Sequence, residues 1–391
     1  MKYWDLRVFR LILIGVFIIA TSYLLSAIYF VSTNSDVNAF VRNIQEDYVD
    51  PDLLFLGSEL GLYVTVNGGK SWSKFTNNMP SVAVHFIELQ KQTNDLVMGT
   101  HGRGVIIIDD ISPLREINSN VLSKKLHFFK SDEYKMKDQS GFSGFFGLET
   151  QFVGENPSTA CDIKYFLSKR HIFGKMTFEI QDLDGNVISK LGAGKSKGIN
   201  IVRWNYTIKQ PKIAKGKTFS FGGFTSPRVA AGRYKAVIKK GKDVFENEFN
   251  VIYDDASGLS SEDRNLQHQT IMKLYNMTQE LAYLVYQLDV ILLDENTDSK
   301  TKSKLNELKE TLVITTGDNY VGAAKRQLRE KMADLYSKIA SSYDRPSPTE
   351  LENLHLVKDM FQTAFKSFDK LKKKVKVEDL NLKSYEDFIS G

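Results

Sequence analysis

Between Phe40 and Asp110 the apolar positions come in short alternating runs, broken by Gly and Asn-Gly. That pattern marks antiparallel strands joined by tight turns. Seven strands are predicted: Phe40–Gln45, Leu53–Gly57, Leu62–Val66, Ser71–Phe75, Val84–Gln90, Asp95–Thr100 and Gly104–Asp109. The first four make one meander. The last three match the first three in order, and Gly57-Ser-Glu-Leu-Gly61 recurs as Gly99-Thr-His-Gly-Arg-Gly104. A four-strand unit repeating at roughly 40–45 residues has the period of a β-propeller blade. Two blades are therefore expected, the second without its outermost strand.

From Leu126 to Tyr253 the alternation continues at wider spacing. The runs Asp162–Leu167, Lys175–Gln181, Val187–Leu191, Gly198–Trp204, Gly232–Lys239 and Val244–Tyr253 are separated by turn signals such as Asp184-Gly-Asn186. They predict an antiparallel β-sandwich with Trp204 in its core. Two aromatic, Gly-rich stretches interrupt it, Phe142–Phe146 and the insert from Ile208 to Arg228. Each reads either as a binding loop or, preferred here, as a cover for the sandwich's open face.

After Ser260 the period changes to 3.6. Leu274, Met277, Leu281, Leu284, Leu288 and Ile291 share one helix face, and Leu328, Met332, Leu335 and Ile339 share another. Ser260-Ser-Glu-Asp is a start signal, Asp294–Lys304 a charged linker, and Pro346-Ser-Pro348 a break before a helix from about Thr349. These features predict an antiparallel helical bundle, with Asp379–Phe388 folding back as a cap.

The start of the chain is different. Leu11–Val31 is apolar and uncharged behind Lys2, Arg7 and Arg10. At ~1.5 Å per residue it spans the ~30 Å hydrocarbon core, and the basic flank orients the remainder outward. An uncleaved membrane anchor is preferred, with a cleaved signal peptide ending near Ala20-Thr-Ser22 as the rival. The expected organisation is residues 1–35 as anchor or signal, 36–118 as blades, 119–256 as sandwich and 257–391 as bundle. The fold class is mainly β with an α-helical C-terminal region, and the location is exported: cell envelope, membrane-anchored or secreted.

Thr65-Val-Asn-Gly-Gly-Lys-Ser-Trp72 resembles the Asp-box (BNR) turn, Ser/Thr-x-Asp-x-Gly-x-x-Trp, with Asn67 at the Asp position. Thr100-His-Gly-Arg-Gly-Val-Ile-Ile-Ile-Asp-Asp110 and the following Ile111-Ser-Pro-Leu-Arg115 resemble the last blade of bacterial sortilin-like BNR-repeat proteins. Asp182-Leu-Asp-Gly-Asn-Val-Ile-Ser189, Gly198–Asn205 and Ala231–Ala236 resemble the immunoglobulin- or fibronectin-like module that follows the propeller there. The resemblance implies secretion and a propeller completed by upstream blades. Proteins of this kind are often labelled glycosyl hydrolases. Thr65, Asn67, Gly69 and Trp72 are expected to be structural: a short polar side chain caps the turn, glycines supply positive φ, and the Trp packs between sheets.

Two blades cannot close a ring of about 4–8, and an isolated pair leaves sheet edges open. Either the chain is the C-terminal piece of a split or truncated gene product, the preferred reading, or its blades dock on another subunit.

Composition narrows the chemistry. With 52 Lys+Arg against 47 Asp+Glu, interspersed along 391 residues, the net charge of +5 gives no general case for nucleic acid. The dense run Lys370–Lys376 reads as the solvated end of a helix. A single cysteine, Cys161, excludes an intrachain disulfide and a Cys-based zinc cluster. The six His have no metal-ligand spacing, so no metal or cofactor is expected. His85, beside Phe86 in a strand, is expected in the core. No Gly-x-Ser-x-Gly elbow, Walker loop or His-Glu-x-x-His helix occurs.

One cluster mixes a base, a cation and carboxylates: His101 and Arg103 with Asp109 and Asp110. A glycosidase needs two carboxyls ~5–9.5 Å apart, whereas neighbours in a strand point to opposite faces. His101, Arg103 and Asp109 are thus candidate binding residues, with no catalytic residue assigned. Arg103 with Asp109 or Asp110 is expected to tie the last blade to the sandwich. The function expected is a non-catalytic exported scaffold that binds the missing blades or a partner protein, with a glycan or peptide as a further ligand. The alternative is the accessory half of a glycoside hydrolase whose catalytic blades lie outside this chain.

Overall fold

The computed structural model describes residues 36–131, 133–137, 158–219, 221–255, 258–316, 325–375 and 380–390. The apolar run 11–31 and the segment 142–146 lie outside them. Among the described residues no helix is long and apolar enough to cross a membrane. The chain divides into two compact units. The first is built from residues up to Lys130 with Lys164–Arg170 and Ser196–Asn200. The second comprises Ser131–Ile163, His171–Lys195 and Ile201–Gly391.

The first unit contains two antiparallel meanders. One runs in the order β1 (Val41–Glu46), β2 (Leu54–Ser58), β3 (Gly61–Thr65), β4 (Ser73–Lys74). The other is β5 (Val84–Gln90), β6 (Asp95–Thr100), β7 (Val105–Ile108). All seven lie where the alternation places strands, and among the described residues the second sheet has no fourth strand. Neither sheet is closed. Short helices α1 (Ser112–Glu116) and α2 (Ser119–Ser123) follow. Nothing in the apolar pattern marks them, because single-turn helices carry too few residues to show a 3.6 period.

One apolar layer is shared by both sheets. Leu53, Phe55 and Leu62 pack with Val84, Ile87, Leu89, Leu96, Met98 and Ile111, all buried. Gly57 lets the sheets meet: a Cβ there would stand 2.7 Å from the Val84 carbonyl oxygen. A second cluster of Val37, Leu56, Tyr63 and Trp72 packs the other face of the first sheet. A bulge at Val84/Phe86 changes the register of β5 on β6. Val84 and Ile87 both point inward, and the residues between them turn out. His85 is consequently half-buried rather than in the core, and Phe86 is 73% exposed.

Further along lie a three-stranded sheet, β13 (Gly198–Trp204), β10 (Cys161–Leu167), β8 (Leu126–Phe128), and a five-stranded one. The latter has the order β12 (Val187–Leu191), β11 (Met176–Gln181), β14 (Gly232–Lys240), β15 (Asp243–Tyr253), β9 (Glu133–Met136). Strand β9 joins β15 in parallel. Its Glu-Tyr-Lys-Met sequence and that of β8 are too short to announce strands. Trp204 is 1% exposed. It donates Nε1–H to the Thr207 carbonyl (2.9 Å) and packs on Tyr206, Tyr234 and Phe249, so β13 faces β14 and β15.

The second unit ends in helices α3 (Ser261–Leu293), α4 (Ser299–Leu312), α5 (Leu328–Ser341), α6 (Pro348–Lys372) and α7 (Tyr385–Ser390). The apolar stripes read from the sequence meet in one core that includes Leu274, Leu284, Leu288, Leu305, Met332, Tyr336 and Phe361. Ser260 caps α3 by accepting from Asp263 N–H, and Ser347 with Glu350 forms a capping box on α6 behind Pro348. The linker before α4 is shorter than expected, because Asp298 accepts from Thr301 N–H and starts the helix there. The basic run at 370 closes α6, and α7 lays Phe388 on Tyr286 at 5.0 Å between ring centres.

The insert from Ile208 is held on the helices. Ala214 enters the helical core, Lys217 N–H donates to the Ile314 carbonyl (2.9 Å), and Tyr336 Oη–H donates to the Thr225 carbonyl (2.8 Å). Arg329 donates to the Thr218 carbonyl, and a Cβ on Gly216 would overlap its guanidinium. The insert is held to α5 because that helix presents buried polar groups, which need partners.

The sheet contact predicts opposite outcomes for two glycines. Gly57→Ala drives a methyl into the Val84 backbone and is expected to cost about 1–3 kcal/mol. Gly99→Ala meets only the Phe86 side chain, at 3.6 Å from its Cβ and 3.8 Å from its Cδ2, both ordinary contacts. Its effect on urea denaturation is expected to stay within about 1 kcal/mol, the Gly-to-Ala backbone term.

Candidate functional site

The three candidate binding residues sit at the two ends of β7. His101-Gly102-Arg103-Gly104 forms the turn between β6 and β7, with Gly102 and Gly104 at φ 82° and 66°. Thr100 closes it by donating both N–H (3.0 Å) and Oγ1–H (2.7 Å) to the Gly104 carbonyl. His101 N–H donates to the Ala83 carbonyl (2.9 Å), and its ring stacks on His85 at 5.7 Å. Arg103 and Asp109 are exposed at opposite ends of the strand, on the order of 20 Å apart at ~3.3 Å per residue. The structure brings His101 to His85 and does not bring it, or Arg103, to Asp109.

The expected tie is made by other residues. Asp110, at φ 44°, pairs with Lys164 of β10 and accepts from Ser112 N–H (3.1 Å). Burial by itself would raise the Asp110 carboxyl, but the Lys164 and Ser112 contacts outweigh it and hold it below the usual range. Neither Arg103 nor Asp109 takes part in that pair.

The turn from Thr65 to Trp72 uses its polar groups on itself. Thr65 Oγ1 accepts from Gly69 N–H (3.0 Å) and donates to Asn67 Oδ1 (2.8 Å). Asn67 Oδ1 also accepts from Ser71 N–H (3.0 Å), while Asn67 Nδ2–H donates to Ser71 Oγ (2.8 Å). Gly68 and Gly69 lie at φ 65° and 82°, where a Cβ is disfavoured. Trp72 is buried against Tyr63 and Leu56, and its N–H donates to Asp36 Oδ2 (3.1 Å). These groups leave little to offer a ligand.

The most highly organised polar cluster escaped the sequence reading. Arg115 in α1 donates from Nε (2.8 Å) and Nη2 (2.9 Å) to the two oxygens of Asp47, and from Nη1 (2.7 Å) to Asn94 Oδ1. Its guanidinium lies 4.9 Å from the centre of the Tyr48 ring, whose hydroxyl donates to the same Asn94 oxygen. Asp47, with a fully buried side chain, also accepts from Val49 and Asp50 N–H. Burial pushes its carboxyl up, but Arg115 and the two backbone donors prevail and hold it below its ordinary value. The cluster joins the segment after β1 to the turn before β6 and to the helix after β7. Partners that far apart leave no short-range sequence signal.

Elsewhere the thiol of Cys161 is fully buried and pushed up by that burial, so it is not a nucleophile. Among the described residues no three His, Cys, Asp or Glu side chains could hold a metal ion. Compared with known protein families, characterised proteins and solved structures, the chain matched none of them.

The turn yields one prediction. Thr65→Val removes the acceptor for Gly69 N–H at a buried site and is expected to cost about 1–3 kcal/mol in urea denaturation. Asn67→Asp keeps the acceptor for Ser71 N–H and is expected to cost under about 1 kcal/mol. The Asp47–Arg115 pair yields another. Arg115→Met strands a buried carboxylate and is expected to cost about 3–5 kcal/mol at neutral pH. Because the Asp47 carboxyl is lowered on folding, its contribution is complete above the unfolded value of about 3.9 and is lost as pH falls through the folded one. Urea midpoints measured from pH 7 down to about 2 should therefore fall less steeply for Asp47→Asn than for the parent.

Proposed function

We propose that residues 36–118 are two neighbouring blades of an incomplete BNR-type β-propeller in a non-catalytic scaffold. Its immunoglobulin-like sandwich and helical bundle follow in the same exported chain, and residues 11–31 hold it at the membrane or direct its export. The blade pair docks on further blades, whether from a split gene product or from a separate partner protein.

The observation that carries this reading is the outer face of the β5–β7 sheet. Phe86, Val105 and Ile107 are 73, 66 and 55% exposed. The register aligns Phe86 with Gly99 and Val105 in one row, and Glu88 with Val97 and Ile107 in the next. An apolar patch of this kind, with one carboxylate at its margin, is a surface a neighbouring sheet covers in a propeller. On the opposite face of the same sheet, the β1–β4 sheet already does so. The strand β7 also has no neighbour on its outer side among the described residues, where β4 occupies the equivalent place beside β3. The accessory-hydrolase reading shares this scaffold and differs in assigning the chemistry to the missing blades.

The reading is tested with the chain encoded immediately upstream, if that frame carries Asp-box repeats. Co-expressed, the two are expected to co-elute as one complex. Phe86→Ser with Ile107→Glu should abolish it while changing stability by only about 0.5 kcal/mol per exposed site. Co-elution unaffected by the pair of substitutions, or no upstream blades and no self-association of the parent, overturns the docking claim. Polysaccharide cleavage by the complex, absent from either chain alone, selects the accessory role.

A further inference from the structure

From Ile208 to Arg228 the insert carries Lys209, Lys212, Lys215, Lys217 and Arg228, three Phe residues and no carboxylate. Apart from this insert and the run Lys370–Lys376, the charges of the chain are interspersed. Its shape is set by the second unit. Ile208 N–H donates to the Pro227 carbonyl (2.9 Å) and Thr207 bridges to Arg228, which closes the base. Lys217, Thr218 and Thr225 are fixed to Ile314, Arg329 and Tyr336, and Gln210 Nε2–H donates to the Phe224 carbonyl (3.1 Å).

A loop tied at so many points would be expected to turn its apolar side chains inward. Instead Phe219 and Phe224 stack on each other at 5.0 Å and remain 51 and 66% exposed. Lys209, Lys215 and Lys217 are exposed beside them in sequence. The carboxylate on the helix beneath, Glu330, is already engaged by Arg329 and Thr218. On α7, Glu386 and Asp387 are exposed together with Lys383, while Lys209 and Lys212 donate to the terminal carbonyls of Ile389 and Phe388.

We propose that this insert docks on an anionic lipid surface, with the Phe219–Phe224 pair entering the headgroup–acyl boundary and the lysines facing the phosphates. The pairing of exposed aromatic rings with clustered lysines is the chemistry of interfacial membrane segments. Charge complementarity selects an anionic leaflet, worth about five-fold in partitioning per lysine near the surface. The anchoring of Lys217, Thr218 and Thr225 holds the residues on either side of the ring pair before docking, which lowers the entropy cost of forming the site. Stacking of the two rings on each other favours lipid over single-stranded nucleic acid, since bases would need those ring faces.

The test uses the full chain in lipid nanodiscs, with Ser226→Cys, two residues from Phe224, carrying a polarity-sensitive fluorophore. Cys161 is fully buried and does not compete for the label. In discs containing about 30% phosphatidylglycerol the emission is expected to shift to the blue and rise about two-fold over phosphatidylcholine discs, a change removed by high salt. Lys215→Glu with Lys217→Glu, and separately Phe219→Ser with Phe224→Ser, should each cancel it. All four side chains are exposed or half-exposed, and circular dichroism checks that the variants fold. A label at Lys242→Cys, on the β14–β15 hairpin, should not respond. Equal emission in both disc types, a response that survives both pairs of substitutions, or an equal shift produced by a single-stranded oligonucleotide would overturn the proposal.

Discussion

A β-sheet with apolar residues on both faces has to be covered twice, and that constraint governs the first unit. The β5–β7 sheet satisfies it once. Ile87, Leu89, Leu96 and Met98 are sealed against the β1–β4 sheet, with Gly57 allowing the approach. The bulge in β5 then sends His85 and Phe86 outward, and Val105 and Ile107 stand beside them. The free energy of burying these side chains, about 1.5–3 kcal/mol for each large one, is left for another surface to recover. The scaffold proposed above follows from that uncovered face.

Polar chemistry in the same unit is directed inward, to the fold. Arg115 gathers Asp47, Asn94 and Tyr48 into one cluster, Asp110 holds Lys164, and in the Thr65–Trp72 turn the Thr65 and Asn67 side chains are spent on the turn's own groups. Each lowered carboxyl has a structural partner that explains it. Perturbed titration often marks a catalytic site, but here Asp47 and Asp110 are braces. His101, Arg103 and Asp109 are exposed, and the length of β7 keeps Arg103 and Asp109 from acting together.

The second unit shows the same economy with a different remainder. Its helices bury their stripes in one core, and Arg329, Glu330 and Tyr336 reach out of α5 to fix the insert. The segment fixed in this way carries two exposed rings, Phe219 and Phe224, stacked on each other among its lysines.

What the sequence determined by itself was local. Periods of two and of 3.6 residues placed the seven strands before Asp110, the six longer strands after it and the main helices, because side-chain periodicity is a property of neighbours. Asn67, Gly69 and Ser260 likewise revealed their turn and cap, whose partners are within a few residues. Only the tertiary structure decided the rest. The Arg115–Asp47 pair spans 68 positions and Tyr336–Thr225 spans 111. The parallel partnership of β9 with β15 is equally remote. The outward turn of Phe86 depends on a bulge that alternation cannot announce, and the destination of the insert depends on which buried groups of α5 lacked partners. Contacts of that range are chosen by the burial and hydrogen-bonding needs of surfaces that exist only once the chain has folded.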